Sequence, residues 1–526
     1  MATELTTFSI PVARSTIGRA SRTVSNVYNE NIKTEHLDPD KILSKFGKYG
    51  FFQMRTYILI NLASILYATE TMVMSFIGET SQFDLVCKDS VWVQHGTSIF
   101  MIGSAIATPI LTHLGDIYGR RLTFLIPLWL AVLANIGVAA STNYYFFLFF
   151  RFISGFGTGS YIQIAQVLII ESVATEFRDV SPFLANFTWF FGYSMVGVLR
   201  YFIDSWQWLY FFLTAPGLLT FSYYWLIPES IHWLVQNNKT KHVNKYIKKS
   251  SRLNKKALIL EECQKNSILD LSCDQSADTE DTSSSNEVTR GFMEMLMTWK
   301  ILFQLSIQCY IFILLNLTYW AISLYSTDLS DDQYKGYFLS GFVELPGGIL
   351  AYILLKKYPR KPITIAGLGG QALFMTAAIF FDSKSIPSIA CVLLSKSFNC
   401  IVWNSVPLMA SEMAPTTTRN RFYGLCSFVG EFGSILAPYI EEVKYYHAHG
   451  PAILISGMSY IAIGATMCAP ETKNKPLPKD FDDFDEGPLL KFFKNRRNNK
   501  KASQKVQIDN DKNDMEGSIM ISESNK

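Results

Sequence analysis

The sequence predicts an all-α membrane protein with twelve transmembrane helices in two pseudo-symmetric halves of six. Three observations carry this expectation. The chain of 526 residues is 49% hydrophobic and only 17% charged, against roughly 25% charged residues in an ordinary soluble protein. Its charges collect between uncharged runs of about 20 residues, the length that crosses a hydrocarbon core of roughly 30 Å as helix. Two short acidic motifs also recur in the second half at nearly the same offset.

Taken in order, the chain opens with a polar, basic segment, 1–55. No signal peptide precedes the first apolar run, so that run is expected to be retained. The first half holds apolar runs at 56–77, 96–115, 121–141, 144–170, 181–203 and 207–227. A polar loop, 228–300, follows. It begins with eight basic residues from Lys239 to Lys256 and turns acidic and Ser-rich at 272–287, where disorder is expected. The second half holds runs at 301–325, 335–355, 362–381, 386–410, 422–440 and 451–469, and the charged tail 470–526 is expected to be disordered. Short-loop Lys and Arg place the connections bearing Arg120, Arg121, Arg178, Lys356, Lys357, Arg360, Lys361, Arg419 and Arg421 on one side. The positive-inside rule makes that side and both termini cytoplasmic. The sequons at Asn186, Asn238 and Asn316 then lie in spans or in the cytosol, where glycosylation is not expected.

The same numbers exclude several function classes. A net charge of +3 with no basic, aromatic-interleaved patch argues against nucleic acid. Of eight cysteines only Cys87 falls in an outer loop, so a disulfide framework is not expected. No Cys/His cluster has zinc spacing, and no phosphate-cradling Gly-x-x-x-x-Gly-Lys-Ser/Thr loop is present. A soluble enzyme, a cofactor and ATP as partner are therefore not expected. A lipid bilayer is, and the oligomeric state stays open.

The repeat is specific in its spacing. Glu171 precedes Arg178 by seven residues, as Glu412 precedes Arg419. Pro228-Glu229-Ser230 follows the sixth run and Pro470-Glu471-Thr472 the twelfth. Parallel repeats of this length are the layout of two-halved secondary transporters, with the substrate site at midplane.

Between the second and third runs stands Leu114-Gly115-Asp116-Ile117-Tyr118-Gly119-Arg120-Arg121, which resembles the signature loop of the major facilitator superfamily. Asp116 is expected to face a helix N-terminus and the arginines to pair with acidic helix ends. The matching loop of the second half, Lys356 to Lys361, lacks the Asp and both glycines, which weakens a symmetric latch. The fourth run opens Arg151-Phe152-Ile153-Ser154-Gly155-Phe156-Gly157-Thr158-Gly159. Its glycines read as close helix packing, and Arg151 is expected to pair with an acid.

Further strings narrow the resemblance: Phe46-Gly47-Lys48-Tyr49, Phe83-Asp84-Leu85-Val86-Cys87, Trp206-Gln207-Trp208-Leu209, Leu339-Ser340-Gly341-Phe342-Val343-Glu344-Leu345-Pro346 and Pro470-Glu471-Thr472-Lys473. Together they resemble the organic cation, anion and zwitterion transporter family of solute carriers, over about residues 46–475. Sugar porters share the Pro-Glu-Ser motif, but no paired glutamines stand in the seventh run. The family's long first outer loop is also shortened here, to about 20 residues from Gly78 to His95.

Ionisable groups within spans are costly, which makes Glu70, Glu344 and Glu431 candidates for a site. The resemblance associates an acid at the position of Glu431, where the anion and carnitine-like branches tend to be basic, and one at Glu344, with the organic cation branch. A carboxylate attracts a cation and repels an anion. Structural pairing with Lys396 or Arg151 is the alternative for Glu431. The resemblance adds Asn186, Trp189, Phe312, Tyr319 and Asn404, aromatic faces contributing about 0.5–2 kcal/mol each to a bound ammonium. Any single aromatic reads first as core, whereas the set around two acids reads as a site. Asp116, Arg120, Arg121, Arg178, Glu171, Arg419, Glu229, Glu412 and Glu471 read as gate charges that pair between the halves, and the in-span Arg151 and Lys396 are grouped with the gate. The expected function is polyspecific, potential-driven transport of small organic cations by alternating access. The alternatives are a zwitterion or carnitine-like carrier coupled to Na⁺ or H⁺, with Lys396 meeting the carboxylate, and a transporter-like receptor or scaffold without flux.

Overall fold

The computed structural model describes residues 39–46, 50–76, 90–173, 181–254, 292–328, 332–382, 385–415, 418–473, 475, 478, 481, 484–492 and 496. Helices cover all twelve apolar runs, and no strand occurs among the described residues. In chain order the first half contains α1 (Phe51–Met72), α2 (Ser90–Tyr118), α3 (Arg120–Ala139), α4 (Tyr144–Ser172), α5 (Ser181–Phe202) and α6 (Trp206–Thr214). The second contains α7 (Trp299–Asp328), α8 (Gln333–Lys357), α9 (Arg360–Ala378), α10 (Ile386–Met413), α11 (Arg419–Glu442) and α12 (Gly450–Cys468). Eight of these spans are long and apolar enough to cross a membrane by length and composition alone: α1, α2, α3, α4, α7, α8, α10 and α12.

Of the other four, the sixth span is interrupted. α6 passes into a 3₁₀ stretch, Ala215–Ser222, and a last turn, Tyr223–Leu226. The buried residues there are Gly217, Thr220 and Tyr223, a spacing of three that suits a helix whose i and i+3 positions eclipse. Trp129 of α3 donates its indole N–H to the Thr220 carbonyl at 3.2 Å, pinning the stretch to its neighbour.

Side chains start several spans. Asn143 accepts from the Tyr145 N–H, Asp332 from those of Tyr334 and Lys335, and Ser385 from that of Ser388, each satisfying amides that a helix N-terminus leaves open. Close approach depends on glycine. A Cβ on Gly155 would lie 1.9 Å from the Phe100 carbonyl oxygen of α2, and one on Gly157 would lie 2.6 Å from that of Pro127 of α3. The span-4 glycines thus seat α4 between two neighbours.

The halves meet where α2 packs on α11 and α5 on α8. At the end of the molecule away from Arg120 and Arg360, one apolar cluster draws on both halves, joining Phe76, Tyr193 and Trp206 to Trp320, Tyr337 and Ile440. Tyr193 stacks on Tyr337 at 4.4 Å, and the Tyr337 hydroxyl donates to the Tyr193 carbonyl at 3.0 Å. His95 meets the Tyr439 hydroxyl at 2.7 Å, and Gln333 donates to the Ser75 carbonyl at 3.0 Å. At the charged end the buried apolar residues instead form separate clusters, none of which joins the two halves. Outward-facing Leu133, Phe149, Phe191, Leu219, Leu373 and Ile461 are more than half exposed, an apolar belt suited to lipid.

The loop after the sixth span contains helices Ile231–Gln236 and Thr240–Leu253, and Phe292–Met297 precedes α7. The acidic run 272–287 lies outside the described residues. The start of the tail departs from the disorder expected of it. Phe481 and Phe484 are buried against the second half, and Glu486 pairs with Lys300 at 2.6 Å. Two aromatics give this charged segment apolar surface to bury. Asp485 is drawn to about 2, its partial burial being outweighed by hydrogen bonds from Lys491, Lys475 and the Gly487 N–H.

Candidate functional site

The two halves enclose a cavity of about 310 Å³. Both halves line it: α1 through Ser64 and Tyr67, α2 through Phe100 and Ser104, α4 through Gln163 and Gln166, and α5 through Asn186 and Trp189. From the second half come Phe312, Asn316, Tyr319 and Trp320 of α7, Glu344 of α8, Trp403 and Asn404 of α10, and Tyr423, Glu431 and Ser434 of α11. Seven of the eight sequence candidates for substrate contact therefore share one cavity. Glu344 and Glu431 are the only charged side chains among its described lining residues.

The two carboxylates differ in company. Lys396 of α10, fully buried, lies 2.8 Å from Glu344 and donates to Ser340 at 2.7 Å. Its ammonium sits 5.1 Å from the centre of the Tyr193 ring. Trp189 donates its indole N–H to the other Glu344 oxygen at 2.7 Å, and the Tyr319 hydroxyl adds a bond at 3.2 Å. Glu344 is thus neutralised within the second half and tied to the first through Trp189. Glu431 has no cationic side chain close to it among the described residues. Neither Lys396 nor Arg151 reaches it, and Lys396 is not among the lining residues.

Aromatic rings form a chain across the cavity. Tyr67 lies 5.4 Å from Trp189, Trp189 6.5 Å from Tyr319, and Tyr319 stacks on Trp403 at 5.1 Å. Phe312 meets Tyr423 edge-on at 5.9 Å. Asn404 donates to the Cys400 carbonyl at 2.8 Å. Asn186 faces Gly348, where a Cβ would come within 2.7 Å of its amide nitrogen. Sequence reasoning passed over Tyr67, Trp320, Trp403, Gln163 and Gln166. The two glutamines carry a legible signal, since polar residues three apart in an apolar span share one helix face.

Glu70 does not line this cavity. It is buried inside the first half, where the Thr158 hydroxyl donates to its carboxylate at 2.5 Å. Arg151 beside it donates to the Glu70 and Gly96 carbonyls at 3.2 and 3.4 Å and lies over the Phe100 ring at 4.4 Å. The pair joins α1, α2 and α4 internally.

At the charged end the gate candidates also differ from expectation. Asp116, in the last turn of α2, pairs across Gly119 with Arg120 at the start of α3, at 2.6 Å, rather than with a facing helix N-terminus. Arg120 approaches Glu171 at 3.5 Å. Glu229 accepts from the main-chain N–H groups of Arg120, Arg121 and Ser230 at 2.8, 3.0 and 3.0 Å, capping α3. Burial raises the Glu229 carboxyl above the ordinary value, and these bonds draw it part of the way back. The second half repeats the arrangement. Glu471 accepts from the N–H groups of Arg360 and Lys361 at 2.9 and 3.0 Å, and Arg360 grips Glu412 through two bonds at 3.3 and 3.1 Å. Thr472 adds a bond to Glu412 at 2.6 Å. These contacts close within each half, not between halves, because each acid and its partner sit at the same end of helices from one six-helix unit.

The altered second loop keeps its clasp, since Arg360 takes the place of Arg120. Gly119 is needed in the first half for two reasons. Its φ of 105° is left-handed, and a Cβ would stand 2.5 Å from a Glu229 oxygen. Pro359, with φ of −60°, begins α9 without that constraint. Arg419, half-buried at the start of α11, has Nε and Nη2 without hydrogen-bond partners among the described residues. Arg178 lies outside the described residues.

Two six-helix halves around a central cavity define a membrane transporter of the major facilitator type. The sequence profile of the family described as sugar (and other) transporter matches residues 20–480, and the chain belongs to that family. It is similar to the organic cation transporter protein of Drosophila melanogaster, at 26% identity over 77% of this chain and 73% of that one. It is likewise similar to the human organic cation/carnitine transporter 2, at 26% identity over 79% of this chain and 73% of that one. In fold it matches the xylose transporter XylE from E. coli in an inward-open conformation, with a TM-score of 0.62 and 18% identity, over 81% of this chain and 98% of that one.

Proposed function

We propose that this multi-pass transporter carries small organic cations by alternating access, with Glu431 as the charge that holds them. The observation carrying this reading is the cavity's charge. Its described lining has two carboxylates and no basic side chain, and Lys396 compensates only Glu344. One uncompensated negative charge in a low-dielectric, aromatic-walled space favours a monocation and disfavours an anion. Aromatic ring faces attract an ammonium without prescribing one ligand shape, which supports polyspecificity. The lysine and arginine bias supports placing the charged end and both termini in the cytoplasm. Inward movement of one positive charge gains about 2.3 kcal/mol per 100 mV, enough for roughly 50-fold accumulation with no coupling ion.

A zwitterion is the second reading, because one relative is named for carnitine as well as organic cations. Against it, Lys396 is fully buried behind Glu344 and away from the cavity surface. Uptake of a labelled quaternary ammonium by wild type, Glu431→Gln and Glu431→Arg, at set membrane potentials, tests the proposal. Saturable, potential-dependent uptake that Glu431→Arg abolishes is the expected result. Uptake indifferent to potential removes the uniport mechanism. A wild type that ignores the amine and carries an anion, or a zwitterion only with Na⁺ present, overturns the cation assignment.

A further inference from the structure

A second concentration of charge lies on the charged end, and transport as proposed does not use it. Helix Thr240–Leu253 is amphipathic. Val243, Tyr246 and Ile247 are buried, while Lys241, Lys245, Lys248, Lys249 and Arg252 are exposed. Tyr246 packs edge-on against Phe52 of α1 at 5.3 Å. Asn254, just past the helix, accepts from the Phe52 N–H at 2.8 Å and donates to Gln53 at 3.0 Å. The basic face is thereby fixed at the beginning of α1.

Two arginines complete the cluster. Arg55 of α1 donates to the Leu226 carbonyl at 2.9 Å. Arg121 of α3 donates to the Tyr224 carbonyl and lies over the Tyr224 ring at 4.9 Å. Both guanidinium groups are thus anchored where the sixth span ends, beside the exposed rings of Phe51, Tyr224 and Trp225. The Nε of each is buried without a hydrogen-bond partner among the described residues. The Lys249 ammonium, exposed but partly desolvated at its base, is pushed below its ordinary value by that desolvation and then by Arg55, Arg121 and Lys245. Glu229, the carboxylate near Arg121, is already engaged by three main-chain N–H groups.

We propose that Arg55, Arg121, Lys245 and Lys249 form a binding site for the phosphorylated headgroup of an anionic lipid in the adjoining leaflet. The level of the cluster decides for a lipid over a soluble phosphate. The ends of three spans meet there, and exposed aromatics mark the interface between headgroup and hydrocarbon. Planar guanidinium groups suit phosphate oxygens, and the lysines supply further charge at a site where the cations otherwise repel one another. Leu219 and Trp225, 74% and 72% exposed, offer an acyl chain apolar surface beside the cluster.

The test uses the full-length chain purified in detergent and titrated with phosphatidylinositol 4,5-bisphosphate or phosphatidylcholine, with bound lipid counted by native mass spectrometry. The phosphorylated lipid is expected to be retained and phosphatidylcholine not. The double variant Lys245→Gln/Lys249→Gln, altered only at exposed positions, should bind about 25-fold more weakly, at roughly fivefold per lysine. Lys444→Gln, at the other end, should bind as wild type does. Equal retention of phosphatidylcholine, or unchanged affinity in the double variant, overturns the site. Equally strong binding of the soluble inositol phosphate overturns the lipid assignment. So does retention that appears only once the acidic run 272–287 is deleted, since the chain's own carboxylates would then be the occupant.

Discussion

Glu344 and Glu431 line the same cavity and carry the same group, yet the protein treats them differently. Glu344 is held by a buried ammonium, an indole N–H and a phenol. Its charge is cancelled and its geometry fixed, and through Trp189 it joins the two halves. Glu431 has none of these cationic or cross-half ties among the described residues. The contrast teaches that an acid inside a membrane protein is not by itself a ligand for a cation. The nearest base decides whether its charge is already compensated.

The sharpest way to break this contrast is to remove the base. Lys396→Met leaves Glu344 buried and unpaired, an expected loss of about 3–5 kcal/mol, seen as a lower melting midpoint in detergent. Adding Glu344→Gln should restore most of it, because replacing both partners of a buried pair is close to neutral. If the single variant melts like wild type, the pair is not a structural unit. Next in size is Glu431→Gln. Melting should be unchanged, while KM for a quaternary ammonium rises roughly a hundredfold, the equivalent of about 3 kcal/mol of lost charge pairing. Trp189→Phe keeps an aromatic face, smaller than the indole, and removes the N–H, so about 2 kcal/mol of bonding to a charged acceptor disappears, read as reduced stability. Tyr319→Phe should cost least, about 1 kcal/mol, because Glu344 keeps its two stronger partners. A reversal of the last two in melting experiments would mean that the cross-half bond matters less than the bond within the second half.

Much of the fold was legible because the bilayer imposes a coarse rule. Long uncharged runs must be spans, and the recurring Glu-to-Arg and Pro-Glu spacings marked two comparable halves before any coordinate. The cavity acids stood out because a carboxylate among apolar residues is rare. What the sequence left open depends on rotation about helix axes. Lys396 is 52 positions from Glu344 and 35 from Glu431, and only the packing of α10 against α8 selects its partner. Glu70 lies three residues from Tyr67 on α1, yet the ring lines the cavity and the carboxylate turns into the first half. The charge pairs at the charged end were expected between halves because sequence shows which charges share a side of the membrane and not which helices are neighbours. The altered second loop looked weaker for a related reason, since Arg360 preserves the contact with Glu412 after the Asp and glycines are gone.

The 3₁₀ stretch in the sixth span bears on bilayer thickness. Its eight residues, Ala215–Ser222, rise about 2.0 Å each where an α-helix rises about 1.5 Å, a gain of roughly 4 Å. Trp206–Leu226 therefore reaches as far as an α-helix of about 24 residues. Hydrophobic matching is met here by stretching the rod instead of lengthening the sequence. The short link that follows can then deliver Glu229 to the first turn of α3 without dragging polar residues into the hydrocarbon.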